Sequence, residues 1–333
     1  MTVVLLALLV AVFVASLFLG SQLLAPSVVW EQLRIGPDAT ANQVVDSEAH
    51  HIVWQLRLSR TLLALAAGAA LAVAGALAQA WTRNPLADPG FIGVTAGAAF
   101  AVALSFTAGL AATVSGRMLA ALVGAAIASM LVLWVSRVSV DPLTLILVGV
   151  GVSAALQACT IMLALYDTSI FDGMRHWTVG TAANRGFPEV TVATIGLLIG
   201  LVVAAIAARP LDLLAMGEDT SKMLGSSPAL ARGSAAIAII VLAAATMASV
   251  GPVAFIGFAA PHIVRPVVGP SLQKMLVPTA LVGAVLTLAA DIVGRLVIRP
   301  GELEMSVVIA LVGAPLLIWV VRRAQRSSKG LTL

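Results

Sequence analysis

Long uncharged apolar stretches recur along the chain, separated by short polar interruptions. Nine blocks carry no Asp, Glu, Lys or Arg: 2–30, 61–82, 89–116, 118–136, 142–166, 190–208, 234–264, 275–290 and 305–321. A helix needs about 20 mostly apolar residues to cross a bilayer, so each block predicts a membrane segment. The block 234–264 is too long for one span, and Gly251-Pro252 interrupts it, because proline lacks an amide hydrogen and clashes with the preceding turn. Splitting it there gives about ten segments, of which the second part, 253–264, is short. No basic residue precedes the first apolar run and no small-residue cleavage site follows it. That run is therefore expected to be a retained span rather than a cleaved signal peptide.

Composition agrees with the pattern. Hydrophobic residues make up 60% of the 333 residues and charged residues only 10%, and mean hydropathy is +1.07. A soluble domain could not cover so much apolar surface with polar groups. The predicted fold class is an all-α polytopic membrane protein, with residues 1–333 as a single transmembrane domain. The net charge of +4 would suggest nucleic acid for a soluble protein, but here the basic residues are spread over many short loops, as membrane topology requires. No nucleic-acid partner is expected. The single cysteine, Cys159, lies in an apolar block, which excludes an intrachain disulfide and a Cys-based zinc site and predicts a packing role.

The end of the chain orients the rest. Arg322, Arg323, Arg326 and Lys329 follow the last apolar block, and the positive-inside rule places them in the cytoplasm. With ten spans the N-terminus is cytoplasmic too. Alternating the loops puts 83–90, 137–141, 209–233 and 265–274 inside, and 31–60, 167–189 and 291–304 outside. Inner segments then hold eleven Lys and Arg, and outer segments eight. Every outer basic residue is an arginine: Arg34, Arg57, Arg60, Arg117, Arg175, Arg185, Arg295 and Arg299. Arginine forms bidentate pairs with carboxylates, so this excess reflects either an acidic partner outside or ordinary loop solvation. Small residues at four-residue spacing, in Ala64, Gly68, Ala72 and Ala76, in Gly93, Gly97 and Ala101, and in Gly196 and Gly200, predict closely approaching helices.

Few stretches could carry chemistry. The segment "RNPLADPGFIGVTAG" at 83–97 is polar and glycine-rich but lacks the lysine of a phosphate loop, and the chain has no H-E-x-x-H or G-x-S-x-G. It reads instead as an inner turn, with Pro85 and Pro89 stopping the helices on either side. His176 and His262 have no second His or Cys at ligand spacing and are expected to be structural. Asp291 follows sixteen uncharged residues, a depth at which an acid is a candidate proton relay. Arg295 stands one helical turn on, and a pair near the outer boundary explains both residues. The inner loop 208–232 reads as two short helices joined at Gly217. Glu218 and Asp219 begin the second, where the dipole favours acids; Glu218 is placed to pair with Lys222, and Gly225 to cap the end. Leu213, Leu214, Met216, Met223 and Leu224 make the pair partly apolar, which suits docking of a cytoplasmic protein better than anionic lipid.

Several stretches together resemble the FecCD family, the permease subunits of ABC importers for iron-siderophore complexes, haem and cobalamin. They are "LRLSR" (56–60), "RNPLADPGFIGV" (83–94), "LDLLAMGEDTSKMLG" (211–225), "GPVAFIGFAAPHIVR" (251–265), "ADIVGR" (290–295) and "LVGAPLLIWVVRR" (311–323). They run in the family's order over nearly the whole chain.

The resemblance implies a ten-helix type II ABC importer permease in the cytoplasmic membrane, paired with a second copy or a paralogue. Two cytoplasmic ATPase subunits sit beneath it, and a periplasmic or lipid-anchored binding protein docks above. It implies that the chain is no enzyme, needs no cofactor or metal of its own, and leaves ATP hydrolysis to its partners. The segment matching 211–225 implies coupling helices against the ATPase, with Leu211, Leu214, Gly217, Glu218, Leu224 and Gly225 as their residues. Arg57, Arg60 and Arg295 match arginines that face outward and receive glutamates of the binding protein. The loop from Asn84 to Leu86 and the segment around Ser139 to Thr144, with Asp141 and Thr144, resemble cytoplasmic gates. Three departures stand out: Ser221 replaces a usual alanine, Pro266 follows Arg265, and "ELEMS" (302–306) stands where E-L-P-V-G is usual. They put the details of ATPase fit and of the last outer turn in question.

The expected function is therefore import of a metal chelate, foremost an iron(III)-siderophore, with haem or cobalamin on the same architecture as the alternative. An ion-coupled secondary transporter would need coupling-ion sites at mid-membrane, and only Asp291 among the acids lies within a span. An intramembrane enzyme would need paired catalytic groups at that depth, and the sequence supplies none.

Overall fold

Among the described residues ten apolar helices organise the chain, the number read from the sequence. The computed structural model describes residues 1–37, 47–136, 142–299 and 301–329. Among the described residues there are fourteen α-helices and no strand. In chain order they are α1 (Thr2–Phe18), α2 (Pro26–Ile35), α3 (Ser47–His51), α4 (Leu58–Thr82), α5 (Val94–Thr107), α6 (Val114–Ser136) and α7 (Pro142–Tyr166). The second half comprises α8 (Thr168–Trp177), α9 (Phe187–Ala215), α10 (Glu218–Met223), α11 (Pro228–Val250), α12 (Ile256–Val268), α13 (Leu272–Val297) and α14 (Met305–Lys329). Six stretches are long and apolar enough to cross a membrane, built on α4, α6, α7, α9, α11 and α13. Four shorter apolar helices, α1, α5, α12 and the first part of α14, complete the ten.

Three boundaries differ from the charge-free blocks. The block 2–30 is one helix only as far as Phe18; a second starts at Pro26, where the missing proline donor would be unpaired in any case. The block 89–116 holds the short α5 and then a turn at Gly109, φ 70°. Arg117 consequently lies in the first turn of α6, not between helices. The third difference concerns 208–215, which is not a separate short helix. It is the end of the 29-residue α9, which runs through Pro210, since an internal proline removes one backbone bond and neighbouring helices can hold the rest in place.

The core is the contact surface of α4. From Ser59 to Gln79 all of its residues except Leu62 and Leu65 are buried, and it packs against α9, α11, α12 and α13. Lipid is as apolar as leucine, so helices inside a bilayer associate through close van der Waals packing, which small residues permit. A Cβ on Gly68 would meet the Gly283 carbonyl and Thr287 of α13, and one on Gly75 would meet the backbone of Gly257 in α12. Gly97 lies against Gly124 and Ala128 in the same way, Gly196 against Ala245 and Gly200 against Leu242. The spacing of small residues therefore marks real crossings. At the periphery α1 exposes Val3 and Val10, and α7 exposes Leu147, Ile161 and Leu165, side chains suited to lipid. Cys159 is exposed on α7, which corrects its expected packing role: α7 is a rim helix, and its apolar sequence faces outward.

The crossing of α4 and α12 yields a first prediction. Gly75→Val should destabilise the protein by about 1–3 kcal/mol through overpacking, read as a lower unfolding temperature in detergent, and Gly75→Ala should fall in between. Wild-type melting of both variants would contradict the contact.

Candidate functional site

The polar side chains gather at the two ends of the bundle. At one end α4 is entered through a π-helical turn, Ile52–Arg57, in which the Leu58 amide bonds the Val53 carbonyl. Such turns are frequent at functional positions. Immediately after it, Arg60 reaches across to α13 and its Nε donates to Asp291 Oδ1 at 2.8 Å. Arg295 donates to the other oxygen, Oδ2, through Nε at 2.9 Å and through a second N–H. The remaining Arg295 N–H groups bond the Ser16 carbonyl at 2.9 Å and Ser16 Oγ at 3.1 Å. Arg57 donates to the carbonyls of Leu17, Phe18 and Gln22, so a cation sits at the C-terminal end of α1, where the helix dipole favours it.

The three arginines that the family resemblance assigns to docking lie together at this end of the bundle, largely buried. Arg57, Arg60 and Arg295 are 4%, 8% and 2% exposed, and Asp291 is 0% exposed. Their donors are taken by groups of the chain itself, because unpaired carbonyls and carboxylates are costly where water is absent. Removing one partner of such a buried pair costs about 3–5 kcal/mol. Arg60 extends to the rim, where its Nη1 donates to Glu302, which also accepts from Ser21 Oγ at 2.6 Å, and Arg57 and Arg295 line the hollow beside it. Hollows of about 460 and 490 Å³ flank Glu302, the first lined also by Arg117 and Arg185. The Asp291–Arg295 pair stands as read from the sequence. The second partner, Arg60, lies 231 residues away and left no local signal.

The stretch after α4 is a compact turn at the opposite end. Arg83 takes a left-handed conformation, φ 50°, and closes α4. Asn84 Oδ1 accepts from the Leu86 amide at 2.9 Å, and Asp88 Oδ1 accepts from the Gly90 amide at 2.9 Å, so side chains satisfy the loop backbone. A short 3₁₀ turn, Pro89–Ile92, and a left-handed Gly93 then lead into α5. Trp81 and Phe91 meet edge to face with centroids 5.9 Å apart, clasping the loop at both ends. Asn84 is half-buried and Leu86 exposed. The 3₁₀ turn packs on α7, whose first turn holds the half-buried Thr144. Asp141 lies outside the described residues.

The segment expected to couple to an ATPase follows α9 at this same end. Leu211 and Leu214 are buried, so they anchor the end of α9 in the bundle. Gly217 turns the chain at φ 114° and α10 begins at Glu218. Gly225, φ 76°, ends it as expected: its amide bonds the Lys222 carbonyl at 3.0 Å, and the Ser226 amide bonds the Ser221 carbonyl at 2.9 Å. That pattern satisfies the last free carbonyls of the helix. Ser221, within α10, turns its side chain inward and is fully buried, a place that suits a small side chain. Met216, Met223 and Leu224 are exposed and form an apolar tip. Glu218 pairs with Arg232 of α11 and not, as the spacing suggested, with Lys222. The Arg232 guanidinium holds the Glu218 carboxyl below the ordinary glutamate range.

Two further ties bind this segment to the bundle, and the sequence announced neither. Arg83 donates to the Leu214 carbonyl. Asp212 accepts from Ser271 Oγ at 2.8 Å and from the amides of Leu272 and Gln273 at 2.7 and 3.3 Å, so it caps α13 from another helix. Nearby, Arg265 donates to Gln79, and Gln79 to the Gly257 carbonyl. His262 bonds the Phe258 carbonyl and lies with its ring centroid 4.3 Å from that of Phe258, the structural role expected of it.

A bundle with a charged lock at one end and an anchored helical tip at the other has counterparts among known proteins. The sequence profile described as the FecCD transport family matches residues 8–323. The ferric enterobactin transport system permease protein FepD of Escherichia coli strain K12 is 39% identical over 97% of this chain and 95% of its own length. The iron(3+)-hydroxamate import system permease protein FhuB of Bacillus subtilis strain 168 is 32% identical, over 93% of this chain and 80% of its own. A solved metal-chelate type ABC transporter in an inward-facing conformation superimposes with a TM-score of 0.83 at 29% identity, covering 97% of this chain and 98% of that one. This chain belongs to the FecCD transport family and is a multi-pass membrane permease subunit.

Proposed function

We propose that the chain carries an iron(III)-siderophore chelate inward across the cytoplasmic membrane, as the permease subunit of an ATP-driven importer. The observation that supports this best is the division of labour between the two ends. One end presents a charged rim around Glu302, suited to an acidic docking protein. The other presents the exposed Met216, Met223 and Leu224 on an anchored helix, suited to an apolar cleft in an ATPase. The names of the relatives, ferric enterobactin and iron(3+)-hydroxamate permeases, favour an iron chelate as cargo. Two cytoplasmic ATPase subunits, a second permease copy or paralogue, and a periplasmic or surface binding protein complete the assembly in this reading, and both termini face the cytoplasm.

The buried arginines shape how docking works in this proposal. Arg57 and Arg295 hold the rim together, and Arg60 is the one a partner reaches. A glutamate of the binding protein takes the place of Glu302 on Arg60, exchanging one carboxylate for another without stranding the cation. At the other end Asn84, Leu86, Asp141 and Thr144 form the cytoplasmic gates, in short loops that can shift without unfolding a span.

Five outcomes test these assignments. Reconstituted with its ATPase and binding protein, the chain should accumulate radioiron-loaded siderophore only while ATP is hydrolysed. Uptake by the chain alone on a proton or sodium gradient would refute the importer reading. Arg60→Glu should lower the unfolding temperature, because it removes a partner of the buried Asp291, and should also weaken binding-protein docking by about tenfold or more, as measured by titration of the protein in nanodiscs. Arg57→Glu and Arg295→Glu should lower stability first, so unaltered melting of both would contradict their burial. Glu218→Lys should reduce assembly with the ATPase, and adding Arg232→Glu should restore it. Because the folded Glu218 carboxyl is held below its unfolded value, the pair's contribution to α10 is complete at neutral pH and is lost progressively as pH falls from the ordinary glutamate value towards the lowered one. Hydrogen exchange of 217–225 should therefore stay protected at every pH above the ordinary glutamate range, near pH 4.3, and an opening above that range would contradict the pairing.

A further inference from the structure

Ser271 stands at the N-cap of α13, a position where a serine oxygen ordinarily accepts a bond from the first free amides of its own helix. Here it makes no such bond. Its hydroxyl instead donates to Asp212, and Asp212, at the end of α9, accepts the Leu272 and Gln273 amides in its place. A local cap was available in the sequence, yet the cap comes from the helix that carries the coupling segment, five residues before Gly217. Local helix stability does not require this arrangement; what it adds is a mechanical tie.

The tie leads somewhere. α13 has 26 residues, which at 1.5 Å per residue is a rod of about 39 Å. It runs from the Asp212 cap to Asp291 and Arg295 at the opposite end. Pro278 removes one backbone bond near the capped end without ending the helix. The antiparallel α4 is joined to α13 by the close Gly68–Gly283 crossing and by the buried Arg60–Asp291–Arg295 cluster. α4 is also held at its far end to α9, through the bond from Arg83 to the Leu214 carbonyl. The end of α9 thus grips both members of one bolted pair, and their other ends form the rim from which Arg60 reaches Glu302.

We propose that Asp212 is the positioning residue that transmits movement of the coupling segment into the α4–α13 pair, and through that pair to the arginine rim. Displacement of α10 by an ATPase then shifts α13 along its axis through charge-assisted bonds, which are stronger than neutral ones, and Arg83 draws α4 with it. This rests on the importer reading above.

The experiment separates transmission from simple capping. The full complex of permease, ATPase and binding protein is reconstituted with wild type, Asp212→Ala, and Asp212→Ala combined with Ser271→Asp, which supplies α13 with a strong cap of its own. ATP hydrolysis and uptake of radioiron-loaded siderophore are measured together. The expected result is an uptake per ATP about tenfold lower in both variants, the usual scale of a coupling energy, with the double variant regaining thermal stability but not uptake. Recovery of uptake in the double variant would show that Asp212 is only a cap, and normal uptake in Asp212→Ala would remove its role altogether. If Asp212→Ala fails to assemble, Asp212→Asn, which keeps one acceptor oxygen, takes its place; equal loss of hydrolysis and uptake would then overturn the proposal. A wild-type complex that needs no ATP for uptake would instead overturn the importer reading beneath it.

Discussion

A buried aspartate held between two arginines determines how the two central helices meet. Asp291 has no exposure to solvent and is hydrogen-bonded to Arg60 of α4 and Arg295 of its own helix. At low dielectric an unpaired carboxylate there would be far more costly than in water. The register of α4 against α13 is therefore held where both guanidinium groups reach it. The small-residue crossing lower down, Gly68 on Gly283, closes on the same alignment. Polar and steric constraints agree, and the remaining helices arrange themselves around that pair.

Function in such a scaffold follows from what remains free once burial has been satisfied. Three arginines that looked available for a partner are mostly committed to helix-end carbonyls and to Asp291. Their commitment holds the rim together, with the Arg60–Glu302 pair at its edge. At the other end the buried Leu211 and Leu214 serve as foundations, while Met216, Met223 and Leu224 stay exposed. Anchored bases with free tips suit a protein that must pass movement from one partner to another.

Much of this was legible along the chain, and the part that was not shares one character. Ten apolar segments, the small-residue crossings, the Gly225 cap and the Asp291–Arg295 turn all depend on neighbours within a few residues, so periodicity and spacing reveal them. Arg60 with Asp291, Glu218 with Arg232, Asp212 with α13 and Arg83 with the Leu214 carbonyl join positions 14 to 231 residues apart. For Glu218 the local rule even named a competitor, Lys222, that the folded chain passes over.

The sequence by itself determined that the protein lies in a membrane, where its helices run and which faces come close, because hydropathy and side-chain size act locally. Only the tertiary structure decided which charges are spent and which stay free. In a low-dielectric interior each buried polar group takes whatever partner the packing brings within reach, and packing brings together residues from distant helices.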